Sequence, residues 1–184
     1  LALEQKLPYI HNMVGWNYRM TEMQSVIGLA ELERMDTWNM PNRRRNAHII
    51  MDAIKDLPQV KYMPIDTPQR QNGWYVLAFS LDIENMSCDI DQFVKAAGAE
   101  GATCWRVFWP QCHTEKAYRE HNAFGKSGFP FRSKEYTDPA SVDYSKVQVP
   151  NALWHQSHTF TCFAFPTFTP EDCKQIGAAL VKVI

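Results

Sequence analysis

The sequence has little that would place the protein in a membrane or on nucleic acid. No stretch approaches the roughly 20 consecutive apolar residues that a helix needs to cross a bilayer. Residues 1–10 lack the basic start, the apolar centre and the small-residue cleavage site of a secretory signal peptide. The formal net charge is −1, so no general positive field attracts nucleic acid or an anionic lipid surface. These absences argue against a membrane-spanning protein and against a general nucleic-acid binder.

Several familiar catalytic and metal-binding patterns are also missing. The five cysteines are widely spaced and form no Cys-x-x-Cys pair, which favours a reduced, cytoplasmic protein with free thiols over a disulfide framework. There is no Gly-rich phosphate loop of the Walker type and no Gly-x-Ser-x-Gly elbow. His155 and His158 have no acidic or cysteine partner at a recognised metal-binding spacing, so we expect no metal site. The one basic run, 43–45, indicates a solvated face or a local anion site.

What the chain does contain is a series of helix and strand signals. Thr21 and Gln24 form a capping box that predicts a helix over 21–38, and its broad apolar face indicates burial on both sides. Pro41 suits the first position of a second helix that runs to about residue 57. The other predicted elements are a strand over 74–80, a helix over 89–97 capped by Ser87, a strand over 103–109, a short helix after Thr114, a strand over 159–165 and a final helix starting at Thr169-Pro170.

The order of these elements indicates an α/β fold, more narrowly a small α+β domain preceded by one or two helices. Residues 58–73 are predicted to be a loop, and 124–150 form a connection longer than compact domains usually keep without a function. The chain starts at Leu1 rather than Met, so we expect an N-terminal portion to precede it.

Three ordered motifs carry a family resemblance. The first is VGWNYRMTEMQ over 14–24, which continues as IGLAELERMD over 27–36. The second is TCWRVFWPQCH over 103–113, and the third is FAFPTFTPE over 163–171. Together they resemble the DegT/DnrJ/EryC/StrS family of sugar aminotransferases, in which a Gly-x-Asn-Tyr-Arg segment precedes a helix and a later strand carries Arg, Pro and His.

The resemblance implies the C-terminal part of a fold type I pyridoxal-phosphate transferase. Residues 1–40 would be a remnant of the large cofactor-binding domain, with a loop and an interface helix, and 41–184 the small C-terminal domain. In this family the Schiff-base lysine and the acid that contacts the pyridine nitrogen come before the Gly-x-Asn-Tyr-Arg segment. We therefore assign no catalytic residue to this chain, and Lys6 has neither the right distance nor the right context.

Four residues are candidates for cofactor and substrate binding. The resemblance implies that Asn17 binds the cofactor phosphate of the partner subunit, although a turn or cap residue beside Gly15 is the alternative. Arg19 would bind a substrate phosphate or carboxylate, or else form a structural ion pair. Arg106 and His113 match the second motif and would lie on the substrate side.

The function implied is an aminotransferase that places an amino group from glutamate or glutamine on a nucleotide-linked keto sugar. Pyridoxal phosphate would be the cofactor and a homodimer the working form, with helix 21–38 at the subunit contact and the 124–150 loop shaping the sugar pocket. Two alternatives stay open: a sugar dehydratase of the same family, in which a histidine replaces the lysine, and a non-catalytic domain used for oligomerisation or sugar sensing.

Overall fold

Four short strands form one antiparallel sheet in the order β1-β2-β4-β3. In this computed structural model, residues 19–123, 125–126, 129–133, 135, 138 and 142–184 are described. The strands are β1 Val60–Tyr62, β2 Leu77–Leu81, β3 Cys104–Arg106 and β4 Thr159–Cys162. The last three confirm predicted strands but are shorter, whereas β1 lies in a stretch that was predicted to be a loop. β1 is held through its pairing with β2, a non-local contact that local sequence signals do not report.

The described ranges contain six α-helices. They are α1 Glu22–Glu33, α2 Met40–Ile54, α3 Ile90–Ala99, α4 Lys116–Arg119, α5 Pro150–His158 and α6 Pro170–Val183. None of them combines the length and the apolar character needed to cross a bilayer. α5 was not predicted, because its apolar residues do not repeat with a helical period strongly enough to stand out from the preceding connection.

Helix starts follow the capping signals closely. At α1 the Thr21 side chain accepts from the Gln24 N–H, and at α6 the Thr169 side chain accepts from the Asp172 N–H, so both predicted caps are confirmed. The predicted cap of α3 was wrong: Asp89, and not Ser87, accepts from the Gln92 N–H at 2.8 Å. Gln92 accepts in return from the Asp89 N–H at 3.0 Å, and this reciprocal pairing selects the later start.

The two N-terminal helices are joined without a loop. A π-helical turn, Met35–Asn39, connects α1 to α2, and the N–H groups of Trp38 and Asn39 both reach the Arg34 carbonyl, at 3.0 and 3.1 Å. Pro41 stands in the first turn of α2 as predicted. π-helical turns are rare and often occur at functional sites.

The predicted burial of the first helix was wrong for this chain, because no residue of α1 is buried. The side chain of Met23 is 78% exposed, and the other large apolar side chains in and just before the helix are exposed too: Met20, Val26, Ile27, Leu29 and Leu32. The apolar pattern predicts that a helix face is covered but does not say by what. α1 therefore presents a run of exposed apolar side chains, and such surfaces usually mark contact sites.

The core lies between the sheet and the helices α2, α3 and α6. Phe160 of β4 is central, with ring centroids 5.2 Å from Phe79 and 4.8 Å from Phe93, and all three rings are fully buried. Gly177 of α6 lets this helix approach α2 closely, since a Cβ there would lie 2.7 Å from the Ala53 Cβ. Aromatic burial on this scale supplies much of the stability of a small domain.

Contacts divide the described chain into two compact units. One holds residues 20–107 and 153–184, with the whole sheet; the other holds Arg19 and the described residues from 108 to 152. In the second unit His121 stacks on Phe131, with ring centroids 5.1 Å apart. The His121 Nε2 lies 2.9 Å from the Val142 carbonyl oxygen, and its Nδ1 accepts from the Arg132 guanidinium at 3.1 Å. These partners organise the described part of the long connection.

Candidate functional site

Arg106 ends the edge strand β3, where its side chain is partly exposed. Its Nε donates to the Asp91 carboxylate of α3 at 2.9 Å. An exposed ion pair of this kind contributes about 0–1 kcal/mol to stability. The pair engages one of the five N–H donors of a guanidinium, so the geometry is compatible with a second, bidentate contact to an anion.

His113 belongs to the second unit and lies in a short 3₁₀ turn, Cys112–Thr114. The Thr114 N–H and hydroxyl both donate to the Gln111 carbonyl at 2.8 Å, which closes the turn. Just before the turn, the exposed rings of Phe108 and Trp109 stack with centroids 4.7 Å apart and planes 18° from parallel. The two rings precede His113 by four and five residues in the chain, and exposed aromatic rings can stack on a ring-shaped ligand.

The two N-terminal candidates stand at the edge of the described chain. Asn17 lies outside the described residues. Arg19 is the first described residue, and it is exposed. The roles assigned to both residues therefore stay predictions.

A cavity of about 470 Å³ lies in the unit that contains the sheet. It opens where α1 passes through the π-helical turn into α2, and the segment after β4 forms its other wall. Its lining combines charged, polar and apolar side chains: Glu31, Arg34, Met35, Trp38, Asn39, Arg43, Phe165, Pro166 and Thr167. The volume lies in the range of small-molecule sites.

The charged groups of the cavity are already organised by one another. Arg34 forms an ion pair with Glu31, and its guanidinium lies 4.8 Å from the centre of the Trp38 ring. The Asn39 side chain donates to Glu31 at 2.8 Å. The hydrogen bonds from Arg34 and Asn39 lower the pKa of the Glu31 carboxyl, so Glu31 stays ionised and paired with Arg34 at neutral pH. Sequence reasoning missed this group, although Glu31, Arg34 and Trp38 have the spacing of one helical face.

The arginine run 43–45 was predicted to be a solvated face or a local anion site; in the structure Arg45 is exposed, and two of the arginines also bind backbone carbonyls. Arg43 donates to the Trp74 carbonyl at 3.3 Å, and Arg45 donates to the Phe168 carbonyl at 3.3 Å. The neighbouring Asn46 is fully buried and donates to the Phe165 and Phe168 carbonyls, at 2.7 and 3.0 Å. The contacts of Arg45 and Asn46 attach α2 to the chain segment after β4, which forms one wall of the cavity, and the contact of Arg43 attaches α2 to the residue stretch before β2.

No lysine lines the cavity. Five lysines elsewhere in the described chain form ion pairs: Lys55 with Asp52, Lys61 with Asp82, Lys146 with Asp143, Lys174 with Glu171 and Lys182 with Glu100. The cavity therefore offers guanidinium, carboxylate, amide and aromatic groups but no amine nucleophile.

Comparison with known proteins identifies what this architecture is similar to. The sequence profile of the DegT/DnrJ/EryC1/StrS aminotransferase family matches residues 2–142. A Micromonospora echinospora protein, named for an L-glutamine:3-amino-2,3-dideoxy-scyllo-inosose aminotransferase activity, is 23% identical over 171 residues. That match covers 92% of this chain and 40% of the relative.

Solved structures give the same picture. An aminotransferase from Psychrobacter cryohalolentis superposes with a TM-score of 0.64 at 22% identity, over 97% of this chain and 42% of that one. The GDP-4-keto-6-deoxy-D-mannose-3-dehydratase of E. coli, with bound hydrated pyridoxal phosphate, superposes with a TM-score of 0.59 at 17% identity, over 90% of this chain and 36% of that one. The chain thus spans about two fifths of the length of these proteins.

Proposed function

Because the chain belongs to the DegT/DnrJ/EryC1/StrS aminotransferase family, we propose that the protein it comes from is a pyridoxal-phosphate-dependent sugar aminotransferase. The chain has the fold of the C-terminal part of a fold type I transferase. The reaction would move an amino group from glutamate or glutamine to a nucleotide-linked keto sugar. The family match over residues 2–142 is the observation that carries this proposal. The five cysteines, none of them in a disulfide, support a cytoplasmic location.

The residues of the cavity do not by themselves fit the cofactor. Pyridoxal phosphate supplies an electron sink, and enzymes hold it through a lysine. No lysine lines the cavity, so the group that holds the cofactor would come from another part of the protein. In this proposal residues 1–40 belong to the large cofactor-binding domain and 41–184 to the small domain. The described chain would then contribute residues that bind and orient the substrate.

We further propose a homodimer in which Asn17 donates to the cofactor phosphate held by the other subunit. The exposed apolar surface of α1, which follows Asn17 by a few residues, supports a subunit contact in this region. Complementation provides the test. A variant with Asn17→Ala and a variant without the upstream lysine would each be inactive, and mixing them should restore activity if the sites are shared. No recovery after verified exchange of subunits would contradict a shared site.

Arg106 is proposed to bind an anionic group of the substrate, and its ion pair with Asp91 allows a sharp test. In the full-length protein, Arg106→Ala should raise the KM for the sugar substrate by about tenfold or more, since hydrogen bonds to charged groups contribute roughly 1.5–3 kcal/mol. Asp91→Asn is the matched control, because it weakens the same ion pair and leaves the guanidinium in place. Steady-state kinetics with the amino donor at saturation measures both effects.

Equal, small changes in KM for the two variants would show that Arg106 serves only the ion pair. His113→Gln extends the experiment to the second unit, where His113 follows the exposed Phe108–Trp109 stack. If His113 contacts the sugar, this substitution should raise KM for the sugar and leave KM for the amino donor unchanged. An effect on both substrates alike would place His113 outside the sugar site.

The dehydratase alternative is favoured by one observation, the likeness to the E. coli dehydratase. Product analysis separates it from transamination. The full-length protein would be incubated with pyridoxal phosphate, glutamate or glutamine, and a set of nucleotide-linked keto sugars. A sugar product that carries a new amino group supports the aminotransferase, and a deoxy product without nitrogen supports the dehydratase. A protein that neither binds the cofactor nor changes any sugar would be a non-catalytic domain.

A further inference from the structure

Two cysteines from different parts of the chain face each other in the sheet. Cys104 is the first residue of β3 and Cys162 is the last residue of β4, and they are direct partners in the antiparallel register. Three positions along the same register, the Val107 N–H donates to the Thr159 carbonyl at 3.4 Å. This hydrogen bond makes Val107 and Thr159 a hydrogen-bonded pair. Hydrogen-bonded and non-hydrogen-bonded pairs alternate along an antiparallel ladder, so a pair three steps away is of the other type. Cys104 and Cys162 therefore form a non-hydrogen-bonded pair.

This type of pair has the geometry that a cross-strand disulfide needs. The Cα atoms of a non-hydrogen-bonded pair are about 4.5 Å apart, and disulfides join Cα atoms separated by about 4.4–6.8 Å. The direct register places the two side chains next to each other, and the Cys104 side chain is accordingly the main cause that raises the pKa of the Cys162 thiol, followed by burial. A separation at the short end of the range strains the bond and makes it easier to reduce.

The two thiols differ in access to solvent. Cys162 is 1% exposed, and it lies in the core beside Phe160. Cys104 is partly exposed, because β3 is the edge strand of the sheet. A third thiol, Cys173 of α6, is buried close enough to Cys162 to interact with it electrostatically. An oxidant from solvent would therefore reach Cys104 first, and Cys162 is the partner directly opposite.

We propose that Cys104 and Cys162 are a reversible redox pair that closes into a cross-strand disulfide when the protein meets a hydroperoxide. The Cys104 sulfur attacks the peroxide, the O–O bond breaks, and with hydrogen peroxide one water leaves and a sulfenic acid forms on Cys104. The Cys162 sulfur then attacks the Cys104 sulfur. The S–O bond breaks, and the hydroxyl leaves with the Cys162 proton as a second water. The two thiols have together lost two electrons and two protons to the peroxide.

Mapping of the oxidised full-length protein tests the pair. Protein treated with hydrogen peroxide is alkylated to block its remaining thiols and then digested at Lys and Arg, which isolates Cys104 in a peptide of residues 96–106. A second cleavage before Asp172 separates Cys162 from Cys173. We expect a cross-linked peptide that joins Cys104 to Cys162 and is lost after treatment with dithiothreitol.

Two variants make the test specific. Cys104→Ser, at the partly exposed edge position, should abolish the cross-link and leave Cys162 alkylatable after unfolding. Cys173→Ser removes the third thiol of the cluster and should change the rate of cross-linking less than about twofold, since it is not the cross-strand partner. The rate should also rise with pH, because the thiolate is the form that attacks and the raised pKa of Cys162 keeps that thiol mostly protonated at neutral pH.

Three results would overturn the proposal. One is over-oxidation of Cys104 to the sulfinic acid while Cys162 stays reduced. Another is a dominant Cys162–Cys173 disulfide, and the third is a peroxide-treated protein in which all five cysteines remain alkylatable. The readout is covalent and does not depend on enzymatic activity, so it stands or falls independently of the proposed function.

Discussion

Gly177 sets the distance between α6 and α2. A Cβ at this position would lie 2.7 Å from the Cβ of Ala53 and 4.0 Å from the Ile49 carbonyl oxygen, so one of the two helices would have to shift. Gly98 of α3 is the useful contrast, because a Cβ there would meet nothing within 4 Å. The two glycines lie in helices of the same unit and differ in the space around them.

We expect Gly177→Ala to lower the free energy of unfolding by about 1–3 kcal/mol, the usual cost of forcing an extra methyl group into a packed contact. Gly98→Ala should instead raise it by up to about 1 kcal/mol, since alanine favours the helix and meets open space. Urea denaturation followed by circular dichroism measures both changes. A stabilised Gly177→Ala variant would show that the two helices can separate at little cost.

The helix α6 begins with a complete capping box. The Thr169 N–H and hydroxyl both donate to the Asp172 carboxylate at 2.8 Å, and the Asp172 N–H donates back to the Thr169 hydroxyl at 3.2 Å. These hydrogen bonds lower the pKa of Asp172, with the backbone N–H of Thr169 as the largest cause. Since α6 packs on α2, the cap stabilises the start of a helix that carries part of the core.

The cap predicts a specific dependence of stability on pH. The pKa of Asp172 is lower in the folded chain than in the unfolded chain, where an aspartate has a pKa of about 3.9. Its stabilising contribution is therefore complete above that value and is lost as the pH falls through the folded pKa. In the Asp172→Asn variant the melting temperature should therefore fall less between neutral and strongly acidic pH than in the unmodified chain. Differential scanning calorimetry over this pH range measures the difference.

Glu171→Gln provides the control for this experiment, since it removes the same charge from the same helical turn and leaves the cap hydrogen bonds in place. We expect the melting temperature of the Glu171→Gln variant to fall at acidic pH by the same amount as that of the unmodified chain. If both variants reduce the fall in melting temperature at acidic pH by the same amount, the effect comes from charge near the helix terminus and not from the cap.

For the whole molecule, the apolar surface of α1 gives the clearest prediction. In the full-length protein, if it forms the proposed homodimer, Ile27→Glu should weaken dimerisation by about a hundredfold or more, because an unpaired charge buried in an interface costs roughly 3–5 kcal/mol. Val181→Glu is the control, an equally apolar residue that is exposed on α6. Sedimentation velocity over a range of protein concentrations measures the dimer dissociation constant.

The behaviour of the Ile27→Glu variant would show which surface, if any, covers α1. An Ile27→Glu protein that stays dimeric but unfolds more easily would show that α1 packs against its own chain. Unchanged dimerisation and unchanged stability together would show that α1 remains at the surface, and the proposed subunit contact would have to be abandoned.

Local signals in the sequence were sufficient for much of this structure. The Thr21–Gln24 capping box and the start of α6 at Thr169-Pro170 were predicted correctly, because each depends on residues only a few positions apart. Pro41 at the start of α2 and the approximate positions of β2, β3 and β4 were also predictable, since conformational preference and apolar content are properties of short segments. The family resemblance likewise came from contiguous motifs, and the match over residues 2–142 confirmed it.

Tertiary structure alone decided which distant residues meet. The pairing that creates β1, the contact of Asn46 with the Phe165 and Phe168 carbonyls, and the opposition of Cys104 and Cys162 all join segments separated by long stretches of chain. The same holds for Arg106, which the sequence offered as a substrate ligand and the structure pairs with Asp91. Such contacts depend on the packing of the whole domain, because the interactions within any one short segment are too weak to determine which distant segment it meets.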